Sequence, residues 1–224
     1  MWCIAQIDAE YRERMYDVLD LYQKDFDGSE PVICVDEKSK QLLAEKQEPI
    51  RGKLTKVDYE YQRNGTQNIF VGVEPKGGKR IVKVTDHRKK ADFAQYIKEL
   101  VEVHYSQAQT IHIVLDNLNT HFKKSFTQTF GEHKAEQLLS RIQFHYTPKH
   151  ASWLNAAEIE IGIMDTQCLN KRIPSKQQHP YQKLMPGKHN EIFKKPKLIG
   201  ASQNITLMKN SKNTIHSIML RMRH

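Results

Sequence analysis

The chain has 224 residues, with 35 Lys+Arg against 26 Asp+Glu, a formal net charge of +9 and a pI near 9.3. That length suits one domain of roughly 100–200 residues with appendages. An apolar content of 38%, with no run approaching the ~20 apolar residues of a spanning helix, excludes a membrane protein.

The start, MWCIAQIDAE, lacks the basic opening and apolar stretch of a signal peptide, and Cys3, Cys34 and Cys168 form neither a disulfide framework nor a zinc site, so a cytoplasmic setting is expected. Residues 8–23 space Tyr11, Met15, Val18, Leu19 and Tyr22 as one face of a helix, with Asp8 at its N-cap. DFDGSEP is a turn, and PVICVDE (31–37) reads as a short buried strand ending on acids. After a polar loop, YEYQR (59–63), NIFVGVEP (68–75) and KRIVKVTD (79–86) are β-rich, the last two divided by the hairpin signal PKGG. Phe93, Ile97, Leu100 and Val101 make a helical face in 88–105, and TIHIVLD (110–116) is a second apolar strand ending on aspartate. Short helices over 123–130 and 132–141, the strand IQFHY (142–146), the loop TPKHA and a helix from Ser152 to about Asn170 complete the order, with Ser152 as the N-cap of the last helix. Three strands in succession pair antiparallel, and strands reached through helices join in parallel. The expected fold is α/β, a mixed five-stranded sheet with helices on both faces.

Two strands, VICVD and IHIVLD, end on Asp36 and Asp116, and strand ends are where open α/β sheets build sites. Glu158 lies one turn into the last helix, behind a Pro-containing loop. Taken singly, each aspartate reads first as a turn former or a solvated edge charge, and only the constellation of three tips the balance toward a site. Converging, three carboxylates would repel one another unless cations sat among them. All-oxygen ligands suit Mg²⁺ or Mn²⁺, and two such ions about 3.5–4 Å apart serve phosphodiester chemistry. Glu160 is a rival for the third acid, but two residues on along a helix it points about 200° away from Glu158. Glu37, adjacent in its strand, should face away from Asp36. No zinc motif, phosphate-binding loop or G-x-S-x-G nucleophile motif is present.

CVDEKS at 34–39, VLDNLNTH at 114–121 and FHYTPKHASWLNAAEIE at 144–160 resemble the catalytic core of bacterial insertion-sequence transposases of the mariner-related DDE superfamily. The resemblance runs from about Trp2 to Ile173 and is most specific in the Pro loop followed by W-L-N-x-x-E. It implies the ribonuclease H-like fold of retroviral integrases, cleavage at transposon ends in double-stranded DNA, and strand transfer by the freed 3′-hydroxyl. It also implies a homodimer on DNA. Carried over by position, the catalytic and metal-binding triad is Asp36, Asp116 and Glu158, with 79 and 41 residues between successive members, holding two Mg²⁺ or Mn²⁺ ions. Asn117 and His121 are candidates to steady the site or contact phosphate, His121 serving equally as a loop residue. Lys149 and His150 lie in a loop suited to phosphate contact, or simply solvated. Trp153 is an anchor under the helix in preference to a base-stacking residue, and Asn155 is suited equally to orienting the carboxylate or DNA and to capping the helix.

The family's N-terminal helix-turn-helix region has no counterpart here, so residues 1–30 are expected to be a connector helix and 31–173 the catalytic domain, with end recognition either supplied by a separate helix-turn-helix product or lost from a truncated copy. Residues 1–173 hold 25 basic and 25 acidic residues, whereas 174–224 hold 10 basic residues and one acid, so the whole excess of charge lies in the last 51. This Lys- and Asn-rich tail, lacking helical period, is expected to be a poorly structured out-of-frame extension past a frameshift near residue 174. A basic arm binding DNA phosphates is the competing reading. The alternative function is a catalytically inert transposase remnant with weak DNA binding.

Overall fold

The computed structural model describes residues 7–47, 59–116, 122–170 and 172–175. The expected tail therefore lies, from residue 176 onward, outside the described residues. The elements run α1 (Ala9–Gln23), β1 (Val32–Glu45), β2 (Tyr61–Glu74), β3 (Lys79–Thr85), α2 (Lys90–Glu99), β4 (Ile111–Leu115), α3 (Phe122–Phe130), α4 (Glu132–Leu139), β5 (Ile142–Tyr146) and α5 (Ala156–Gln167). The strands form one mixed sheet in the order β3-β2-β1-β4-β5, with β1–β2 and β2–β3 antiparallel and β1–β4 and β4–β5 parallel. No described helix is long and apolar enough to cross a membrane.

Alternation along the central strands divides the core into two layers. Cys34, Ile69, Val71, Val82 and Val114 face α1 and α5, where Met15, Val18, Leu19, Ala157 and Met164 cover them. Ile33, Val35, Phe70, Ile81, Ile113 and Leu115 face the other way, under Phe93, Ile97 and Leu100 of the α2 segment and Phe126 and Leu138 of α3 and α4. Asp8 caps α1 by accepting from the Tyr11 N–H at 2.7 Å.

Three expected boundaries differ. β1 runs on through KSKQLLAE and pairs with residues 61–69 of β2 as one ribbon, where a polar loop and two separate β-runs are predicted. The ribbon is held by long-range contacts that local polarity does not signal: Leu42 is buried, the Leu43 N–H donates to the Ile173 carbonyl at 2.9 Å, and Lys38 pairs with Asp165 of α5. The helix predicted over 88–105 ends as α-helix at Glu99 and continues as a π-helical turn, Leu100–His104. Finally, Ser152–Leu154 is a 3₁₀ turn, and the N-cap of α5 is Asn155 instead of Ser152.

Candidate active site

Cys34 pairs with Val114 in the parallel β1–β4 ladder, and the same register carried two residues further sets Asp36 level with Asp116. By alternation both aspartates lie on the α1/α5 side of the sheet, with Cys34 and Val114. Glu158 comes to that side from the first turn of α5, where it is exposed. The two ends are tied together by Asn155, which is fully buried. Its Oδ1 accepts from the Ala157 N–H at 3.1 Å, capping α5, while its Nδ2 donates to the Val35 carbonyl at 3.0 Å, next to Asp36. Both ends of this amide are thus engaged inside the protein, beside the two acids. Tyr22 reinforces the junction, its hydroxyl donating to the Leu154 carbonyl at 2.7 Å and lying 3.0 Å from the Cys34 Sγ.

Asn155→Ala removes both bonds. It should cost about 2 kcal/mol, the sum of a lost cap and a stranded buried carbonyl. Asn155→Ser keeps a capping oxygen and should recover about half of that; denaturant unfolding of the two variants separates cap from tether.

Asp36 is half-buried and accepts from the Glu37 N–H at 2.7 Å. Burial pushes its carboxyl up to about 7, opposed by the Glu37 N–H and reinforced by the charges of Asp116, Glu37 and Glu158. The charges of Asp116 and Glu158 thus both reach Asp36. Among the described residues none of the three pairs with a Lys or Arg. Their neighbours do: Glu37 lies 3.5 Å from the Arg88 guanidinium, and the buried Glu160 pairs with Arg80. The Asp116 Oδ1 accepts instead from the neutral Thr147 hydroxyl at 3.1 Å. Among the described residues no three His, Cys, Asp or Glu side chains are gathered closely enough to hold a metal ion.

The sign of the pH effect follows from linkage. A carboxyl at 3.8 in the unfolded chain and about 7 when folded keeps its proton longer in the folded state. Its favourable contribution, on the order of a few kcal/mol before solvent screening, is present below pH 4 and lost as the pH rises through about 7. Asp36→Asn has no such charge to bury, so in metal-free protein it should gain stability over the parent at pH 8 relative to pH 4.5. Equal differences at both pH values would contradict the assigned environment.

Of the other predicted residues, Trp153 is half-buried and packs against the α1/α5 core, while Lys149 and His150 are exposed, His150 with a left-handed φ of 62°. Asn117 and His121 lie outside the described residues. Thr147 and Tyr22 went unsuspected: the first reads as a loop residue before Pro148, the second as part of an apolar helix face.

A family model described as DDE superfamily endonuclease matches residues 31–179. The chain belongs to the DDE superfamily of endonucleases. Two solved structures support the DDE fold: a Mos1 mariner paired-end complex with Mn (TM-score 0.53, 13% identity, 82% of this chain and 56% of that one) and a Mos1 transposase paired-end complex with the left transposon end (TM-score 0.51, 13% identity, 85% and 59%). The five-stranded mixed sheet with helices on both faces matches the ribonuclease H-like catalytic domain of that transposase. This DDE chain spans a little over half the length of the chains it resembles. Comparison with curated proteins gives no match.

Proposed function

We propose that this chain is a transposase catalytic domain that cleaves DNA strands and joins a freed 3′-hydroxyl to a target phosphodiester, using divalent metal held by Asp36, Asp116 and Glu158. The observation that carries the reading is the contrast among the acids. Asp36 in β1, Asp116 after β4 and Glu158 in α5 have no basic partner among the described residues, and the charges of the last two reach Asp36, whereas Glu37 and Glu160 have Arg88 and Arg80. Carboxylates without a Lys or Arg partner among the described residues, one of them under the charge of the other two, have the chemistry of a cation site.

The donor set fits Mg²⁺ or Mn²⁺: every candidate ligand is a carboxylate oxygen, and Asp36 is a group whose ionisation a cation would favour. Two bound ions would supply activation of the attacking oxygen and stabilisation of the leaving one. The chain's own part is positional. β1 carries Asp36 and the end of β4 leads into Asp116, Asn155 ties the α5 helix that carries the third acid to the strand bearing Asp36, and Glu158 is exposed in the first turn of α5. Double-stranded DNA is the proposed substrate, and a homodimer is the proposed assembly.

A labelled duplex with a free 3′-hydroxyl, incubated with supercoiled plasmid and Mn²⁺, tests the reading. The expected result is covalent joining of the label to plasmid, absent when the end is a 3′-deoxynucleotide. Nicking without joining would reduce the function to that of an endonuclease, and neither would favour the inert remnant.

A further inference from the structure

We infer that Thr147 is a positioning residue for metal binding, orienting the Asp116 carboxylate from the neighbouring strand; the inference rests on the metal-dependent reading above. Thr147 directly follows β5 and is only 1% exposed. Its N–H donates to the Leu115 carbonyl at 2.9 Å, which continues the β4–β5 ladder one step past the Leu115–Tyr146 pair. That step places its side chain beside Asp116, and its hydroxyl donates to the Asp116 Oδ1 at 3.1 Å. Pro148, also buried, has no N–H to donate, so the ladder cannot run on and Thr147 is held at its end.

A carboxylate on the last residue of a strand can rotate about its own side-chain bonds. A donor fixed in the sheet selects one rotation and leaves Oδ2 and a lone pair of Oδ1 for another partner. The chemistry of this donor matters. Glu37 and Glu160 are held by guanidinium groups, which would compete with a cation for the carboxylate; Asp116 is held by a neutral hydroxyl, which orients it without a basic partner among the described residues. Partners of this kind behind a metal ligand are worth about 10–100-fold in metal affinity.

The test is Mn²⁺ binding by the full-length chain, followed through the electron paramagnetic resonance signal of free Mn²⁺. Asp116→Asn defines the binding to be counted. Thr147→Val, which keeps the shape and removes the donor, should weaken that binding about tenfold, and Thr147→Ser should restore most of it. Should the valine variant fail to fold, Thr147→Ala and Thr147→Ser, differing only in the hydroxyl, give the same comparison. Thr147→Val binding as tightly as the parent, or Thr147→Ser as weakly as the variants lacking a hydroxyl, would overturn the inference. So would a parent chain with no Mn²⁺ binding that Asp116→Asn removes. A parent that binds Mn²⁺ through Asp116 yet cleaves no DNA would sink the proposed function and leave Thr147 in place.

Discussion

Replacing Asp116 by Asn is expected to reduce Mn²⁺-dependent strand cleavage at least about 100-fold, the scale on which a metal ligand outweighs the groups behind it. The substitution is nearly isosteric, and the Asn carbonyl can still accept from the Thr147 hydroxyl that now reaches Oδ1 at 3.1 Å. What it removes is charge. Because the Asp116 charge is one of the causes that push the Asp36 carboxyl up, its loss relieves the metal-free protein, and unfolding should come no earlier than in the parent. Loss of cleavage with undiminished stability is the signature of a functional carboxylate. A variant that cleaves at the parental rate would remove Asp116 from the site, and one that merely unfolds would reclassify it as structural.

Glu160→Gln is expected to do the opposite. Glu160 is buried in α5 at 3% side-chain exposure, paired with an Arg80 guanidinium that is 20% exposed. Removing one member of a buried ion pair costs about 3–5 kcal/mol, because the attraction that offset desolvation of the pair is lost. The partial exposure of Arg80 sets the expectation at the lower end, about 3 kcal/mol. Glu158→Gln, at an exposed position in the first turn of the same helix, should change stability by less than about 0.5 kcal/mol. Denaturant unfolding of the two variants therefore reads which acid is structural. A Glu160→Gln cost under about 1 kcal/mol would contradict the buried pair.

These two glutamates also show what the sequence makes legible. Helical geometry separates Glu158 from Glu160 without coordinates, and strand periodicity places Asp116 directly after β4; Asp36, expected at a strand end, lies inside β1 because that strand runs on to Glu45. The order of elements follows from the same periodicities, which is why the five-stranded mixed sheet is predictable. What local pattern does not carry is long-range bonding. The β1 extension depends on Leu42 being buried and on Ile173, far along the chain, accepting from Leu43. The start of α5 shifts from Ser152 to Asn155 because Asn155 alone reaches both the Ala157 N–H and the Val35 carbonyl. Thr147 looks like any residue before a proline until the β4–β5 register sets it beside Asp116.

Charge makes the same point at the scale of the chain. The +9 excess suggests a nucleic-acid partner, yet it lies wholly in residues 174–224, while residues 31–179 carry the family match. The case for the proposed DNA chemistry rests on three acids that have no basic partner among the described residues. The most direct measurement is therefore nicking of supercoiled plasmid by the parent, Asp36→Asn, Glu158→Gln and Glu160→Gln, each with Mn²⁺ and with chelator, below the unfolding temperature of the least stable variant. The account expects nicking by the parent and by Glu160→Gln, only with Mn²⁺, and none by the other two. Nicking by Glu158→Gln or Asp36→Asn, or nicking that survives chelation, would contradict it.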